Sequence, residues 1–189
     1  MIAEPATVIT DYILGAVAAW ASFQLFRNPE RSRRYWALAF AALAAGAFFG
    51  GTWHGFLRSD LLWKATVLSV GVASFGMLAG SGLAVTRGRL LLILATLKLA
   101  AYTAWMLLHD EFIYVVLDTG IALLVVAALH LWKWNGPILA GVGLSAIAGL
   151  VQASGFALHA HFNHNDLYHV LQTLAVVLLY QGAKRLQSS

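Results

Sequence analysis

Seven long apolar segments constrain this chain more than any other feature. A helix needs about 20 mainly apolar residues to cross a bilayer, and each segment is close to that length. Only 11% of the residues are charged, against about a quarter in soluble domains, so lipid is the expected solvent. We therefore predict an all-α fold, a polytopic membrane protein with one seven-helix transmembrane domain over residues 1–189. The segments are Thr7–Phe26, Tyr35–Phe56, Leu61–Ala84, Leu90–Leu108, Phe112–Leu131, Pro137–Leu158 and Leu167–Ala183.

The lysines and arginines predict the orientation of this bundle. Short connections make successive helices antiparallel, so most basic residues fall at one face. These residues are Arg27, Arg31, Arg33, Arg34, Arg87, Arg89, Lys133, Lys184 and Arg185. The opposite face has Arg58 and Lys64. Basic loops stay in the cytoplasm, which predicts an outside N-terminus, a cytoplasmic C-terminus and a multi-pass protein of a bacterial inner membrane. Because the basic residues lie in loops, the net charge of +4 does not indicate nucleic-acid binding.

Most of the histidines gather at the extracytoplasmic end of the predicted helices. His54, His109 and His159 close three segments, His161, His164 and His169 open the last, and His130 alone lies at the inner end. Three neutral imidazoles with an open fourth position are typical of a catalytic zinc site. Asp166 or Asp60 could orient a ligand imidazole or act as general base. The alternative is that each histidine caps a helix or meets a lipid headgroup. The absence of cysteine excludes disulfides and thiolate chemistry.

A second polar pattern joins the fourth and fifth segments. Lys98 and Asp118 lie well inside neighbouring helices. A charge at that depth is costly, so intramembrane ionisable residues usually pair. The pattern predicts an ion pair that is either structural or part of a proton relay or counter-ion for a ligand.

Two motifs resemble the CREST superfamily, seven-helix membrane proteins that include alkaline ceramidases and the adiponectin/progestin receptors. They are Phe-Gly-Gly-Thr-Trp-His, which ends in His54, and Asn-Asp-Leu-Tyr-His-Val-Leu, which contains His169. The resemblance implies that three histidines hold zinc and that the protein cleaves lipid amide bonds. On this chain it implies a zinc triad of His54, His164 and His169.

The chain departs from the family pattern at three positions. The serine expected before the helix-two histidine is Gly50. The first helix-seven histidine position is Asn165, with His164 one residue earlier. The aspartate expected near Ala65 or Thr66 is absent there, and Asp60 lies before it.

The leading functional hypothesis is a zinc-dependent membrane hydrolase that acts on a lipid-like amide or ester. The alternative is a non-enzymatic membrane protein that binds a lipid, a haem or a structural metal. A third hypothesis, a proton-coupled transporter using Lys98 and Asp118, has no internal repeat or broken helix pair in its favour. The expected partners are membrane lipid and a lipid-like substrate or ligand.

Overall fold

The computed structural model describes residues 2–86, 89–159 and 162–187, and these are built almost entirely from helices. The prediction of an all-helical fold is confirmed. In the described residues α1 to α6 are long and apolar enough to cross a membrane, whereas α7 carries too many polar residues to count among them. The helices are α1 (Pro5–Phe26), α2 (Arg31–Gly55), α3 (Asp60–Val85), α4 (Arg89–Leu108), α5 (Phe112–Trp132), α6 (Gly136–Ser154) and α7 (His164–Ala183).

The ends of α6 and α7 differ from the prediction for local reasons. The segment Pro137–Leu158 is wrong at its end, because Gly155 adopts a left-handed conformation (φ +68°) that ends α6 at Ser154. Asn163 then caps α7, whose first residue is His164 rather than Leu167. His159 therefore lies in the connection, where its backbone bridges to Phe162. Two residues used in the predictions, Arg87 and His161, lie outside the described residues.

The start of α2 also differs, since the helix begins at Arg31, four residues before the predicted Tyr35. Its first turn contains Arg31, Arg33 and Arg34, which an apolar pattern cannot mark as helical. The Nε of Arg33 donates a hydrogen bond of 2.6 Å to the carbonyl of Leu186. This contact places the start of α2 and the chain end after α7 at the same end of the bundle.

Six of the helices form a closed ring. Helix α1 packs against α2 and α7, α2 against α3, α3 against α5, α5 against α6, and α6 against α7. Helix α4 packs outside this ring on α3, where the Tyr102 hydroxyl donates to the carbonyl of Val67 at 2.9 Å. The α2–α3 contact is especially close: a Cβ at Gly76 would lie 2.7 Å from the carbonyl oxygen of Tyr35. The α5–α6 contact is the loosest in the ring.

Candidate functional site

A buried polar cluster joins the first helix to the last one. The Asp11 side chain of α1 is buried, and its Oδ1 lies 3.1 Å from Nε2 of His169 on α7. The other ring nitrogen, Nδ1, lies 3.2 Å from the Thr10 hydroxyl. The same hydroxyl also lies within hydrogen-bond distance of the carbonyls of Ala6 (3.0 Å) and Thr7 (3.1 Å). Each ring nitrogen of His169 therefore has a polar partner on α1.

The second oxygen of Asp11 is left without a partner. Oδ2 is buried and accepts no hydrogen bond from the described residues. It faces Gly50 of α2, where a Cβ would lie 3.7 Å away. Gly50, at the position where the family resemblance implies serine, thus leaves room beside the carboxylate.

Asp166 stabilises the start of α7 and ties it to α1. Its Oδ2 accepts from the backbone N–H of Asn163 at 2.7 Å, while the Asn163 side chain caps the helix in return. Its Oδ1 accepts from the Thr7 hydroxyl at 2.7 Å. Both oxygens of this carboxylate, which the sequence suggests as a base or an orienting group, are used for helix capping and packing.

His54 lies at the outer edge of the same cluster. Its Nδ1 is 3.0 Å from Oε2 of Glu4, and the other oxygen of Glu4 accepts from Arg58 at 2.6 Å. His54 lies one helical turn after Gly50, the residue that faces the Asp11 carboxylate. The cluster therefore extends from the exposed Arg58 inward to Asp11.

The other predicted site residues lie apart from this cluster. His164 is the half-buried first residue of α7, and no contact in the described part of the chain joins it to His54 or His169. Asp60 is exposed in the first turn of α3, where a carboxylate interacts favourably with the positive end of the helix dipole. The structure thus brings His54 and His169 near each other but leaves His164 and Asp60 outside.

In this structure the three predicted zinc ligands are not gathered around one point. Both ring nitrogens of His169 already face hydrogen-bond partners. Among residues 2–86, 89–159 and 162–187, no group of three histidine, aspartate or glutamate side chains could hold a metal ion. The zinc triad of His54, His164 and His169 stays a prediction.

Lys98 and Asp118 form a separate ion pair between α4 and α5. The Lys98 Nζ lies 2.5 Å from Oδ1 of Asp118, and the second oxygen of Asp118 is buried without a partner in the described chain. Lys98 is only partly buried, because α4 lies outside the ring. Whether the pair is structural or relays protons stays a prediction.

A cavity of about 480 Å³ lies inside the helix ring. Helices α2, α3, α5, α6 and α7 line it, mostly with leucine, valine, alanine and phenylalanine. Its described lining contains no histidine and no charged side chain. Tyr168 lines the cavity while the next residue, His169, faces α1, so α7 separates the cavity from the polar cluster. The polar residues of the lining are Ser74, Thr119, Ser145, Gln152, Tyr168 and Gln172.

Sequence reasoning missed the contribution of α1. The predicted triad uses only the second and seventh helices, whereas α1 lies between α2 and α7 and provides Thr7, Thr10 and Asp11. A signal was present in the sequence: Thr10 and Asp11 follow Thr7 by three and four positions, so the three polar residues lie on one face of a helix within an apolar segment.

Comparison with known proteins identifies the family but no activity. A model of the protein family described as "Family of unknown function (DUF6962)" matches residues 6–188. No curated protein and no solved structure matches the chain.

Asp11 and His169 should be energetically coupled. Asp11→Ala and His169→Ala should each lower the free energy of unfolding in detergent by about 1–3 kcal/mol, because each leaves a buried polar partner unsatisfied. The double variant should lose less than the sum by about 0.5 kcal/mol or more. The control Asp60→Ala, at an exposed position, should change stability by less than about 0.5 kcal/mol. Additive losses would contradict the coupling.

Exchanging charges tests the pair between α4 and α5. Lys98→Asp or Asp118→Lys should cost about 3–5 kcal/mol, because each leaves like charges together in a buried contact. The double exchange should recover most of that loss in the same unfolding assay. Absence of recovery in the Lys98–Asp118 double variant would count against pairing.

Proposed function

The chain belongs to the DUF6962 family, and we propose that it is an integral membrane protein that binds a lipid-like molecule in its helix ring. The observation that carries the proposal is the cavity of about 480 Å³ with its almost wholly apolar lining. This volume lies within the range of about 300–1,000 Å³ that small-molecule sites occupy. The apolar length of α1 to α6 supports a membrane location.

The cavity extends along the helices. Its lining runs from Phe112 to Ala127 on α5 and from Val142 to Ala153 on α6. At about 1.5 Å per helical residue these spans are about 22 Å and 16 Å. This length is close to the roughly 15 Å of one leaflet of a bilayer core, as expected for a site that holds a hydrocarbon chain.

The cavity opens sideways between α5 and α6. Leu124 of α5 and Leu150 of α6 both line it and are 73% and 70% exposed. At Gly120 and Gly149, on the same two helices, a Cβ would meet no atom within 4 Å. In a bilayer this opening faces acyl chains, so a ligand can enter from the membrane.

The proposed orientation has the N-terminus outside, the C-terminus in the cytoplasm and the polar cluster at the extracytoplasmic end of a bacterial inner membrane. The Arg33–Leu186 hydrogen bond supports it by joining two of the basic segments at one end. Glu4, His54 and Arg58 meet at the other end. The positive-inside rule then assigns the more basic end to the cytoplasm.

The geometry favours lipid over the other predicted ligands. The described lining contains no histidine that could ligate haem iron. Neither Lys98 nor Asp118 is among the lining residues, so the cavity offers no support for a proton-coupled transporter.

A zinc-dependent hydrolase acting on a lipid-like amide or ester is the second candidate. The observation in its favour is that Asp11 contacts His169 and directs its second oxygen, which has no partner among the described residues, toward Gly50, one helical turn before His54. Against it, the polar cluster and the cavity lie on different sides of α7.

Lipid retention tests the leading proposal. Protein purified in mild detergent should release about one lipid-like molecule per chain on organic extraction and mass spectrometry. Gly149→Leu should lower retention about tenfold or more, because the added side chain occupies the cavity. Gly143→Leu is the matched control: Gly143 lies on the same helix, also in open space, but does not line the cavity. Equal retention in both variants would contradict the proposal.

Metal analysis tests the second candidate. A zinc site should give about one zinc per chain by plasma mass spectrometry after purification without chelator, and His54→Ala or His169→Ala should abolish it. His109→Ala, far from the cluster, should keep full occupancy. A metal-free wild-type protein would exclude the zinc hydrolase.

A further inference from the structure

The polar residues of the cavity are unevenly distributed along it. Gln152 lies two residues before the end of α6, and Tyr168 and Gln172 lie in the first half of α7. The α6–α7 connection joins these helix ends. Farther along the helix axes the lining is mainly apolar, with residues such as Leu43 and Leu179, and its polar groups are the single hydroxyls of Ser74, Thr119 and Ser145. The larger polar side chains are therefore gathered at one end of the cavity, which favours one orientation for a ligand with a polar head.

The Gln152 amide lacks one hydrogen bond. Its Nε2 donates to Oδ1 of Asn165 at 2.7 Å, which fixes the amide between α6 and α7. Its Oε1 is buried and accepts no hydrogen bond from any described residue. A buried carbonyl oxygen without a donor is costly. An O–H or N–H group on the ligand head would satisfy it.

The head must also be uncharged. No lysine, arginine, histidine, aspartate or glutamate belongs to the described lining, so nothing there pairs with a carboxylate, phosphate or ammonium group. Burying an unpaired charge costs far more than burying a hydroxyl that gains a hydrogen bond. Fatty acid anions and phospholipid heads are thus disfavoured inside the cavity.

We propose that the cavity selects a neutral single-chain amphiphile with a hydroxyl head, such as a long-chain alcohol or a monoacylglycerol, and that Gln152 accepts the hydrogen bond from that head. This inference rests on the proposed lipid-binding function and adds the ligand class and its orientation. The hydrocarbon chain occupies the mainly apolar part of the cavity. The head lies at the end where α6 meets α7.

Three probes of equal chain length test the proposal: hexadecanol, palmitate and hexadecane. Each is added to delipidated full-length protein in detergent at the same mole fraction in the micelles, at a pH where palmitate is ionised. Binding is measured by native mass spectrometry and by the shift in melting temperature. Wild-type protein should bind hexadecanol about fivefold or more tightly than hexadecane, and palmitate most weakly.

Two variants test whether Gln152 is responsible for the preference for hexadecanol over hexadecane. Gln152→Met keeps the side-chain length but removes the acceptor, so the preference for hexadecanol over hexadecane should fall about fivefold. Gln181→Met makes the same change on α7 at a residue outside the lining and should keep the wild-type preference. An unchanged preference in the Gln152 variant would overturn the assignment of the head.

The outcomes separate this inference from the function on which it rests. If no probe binds wild-type protein, the lipid-binding proposal itself fails. If palmitate or hexadecane binds as tightly as hexadecanol, the cavity still holds a hydrocarbon chain, but the selection of a neutral hydroxyl head is refuted.

Discussion

The hydrogen bonds between α1 and α7 are the contacts on which the rest of the structure depends. In a bilayer, an apolar side chain gains little free energy by contacting another helix instead of lipid. The order of the helices in a membrane bundle must therefore come from close packing and polar contacts. Thr7 binds Asp166, and Asp11 contacts His169, which joins the first helix to the last. Once these two helices meet, the ring closes and the space inside it becomes a cavity.

Much of the fold could be predicted because it follows from local sequence. Apolar length and the chemistry of the connections are enough to find all seven helices. The ends are harder, since they depend on single residues: Gly155 ends α6, and Asn163 with Asp166 begins α7. Apolar patterns carry no information about such caps. The sequence pattern therefore extends the sixth helix four residues too far, to Leu158, and begins the seventh three residues too late, at Leu167.

The site was predictable only in part, for a different reason. The helical faces that carry Asp11 and His169 can be identified from spacing, but spacing does not say which helices are neighbours. His54 and His169 were found because motifs mark them, whereas Asp11 lies in a segment with no motif. A cavity forms where the side chains of several helices do not fill the space between them. Because this depends on how five helices pack together, the pattern of a single sequence does not predict it.

Adjacent residues of α7 take part in two different features, the contact with α1 and the lining of the cavity. In an α-helix, neighbouring residues point about 100° apart, so His169 reaches α1 while Tyr168 lines the cavity. This explains why α7 is less apolar than the other six helices. Its polar residues are divided between ring closure on one side and the cavity on the other.

The ion pair outside the ring has a consequence for how such a chain is made. A lysine near the middle of a lone membrane helix opposes insertion by about 2.5–3.5 kcal/mol. Lys98 finds its counter-charge on the very next helix, across a connection of three residues, 109–111. In a protein inserted into a bilayer, as proposed above, α4 and α5 are therefore expected to enter the lipid together, as a hairpin in which the two charges neutralise each other.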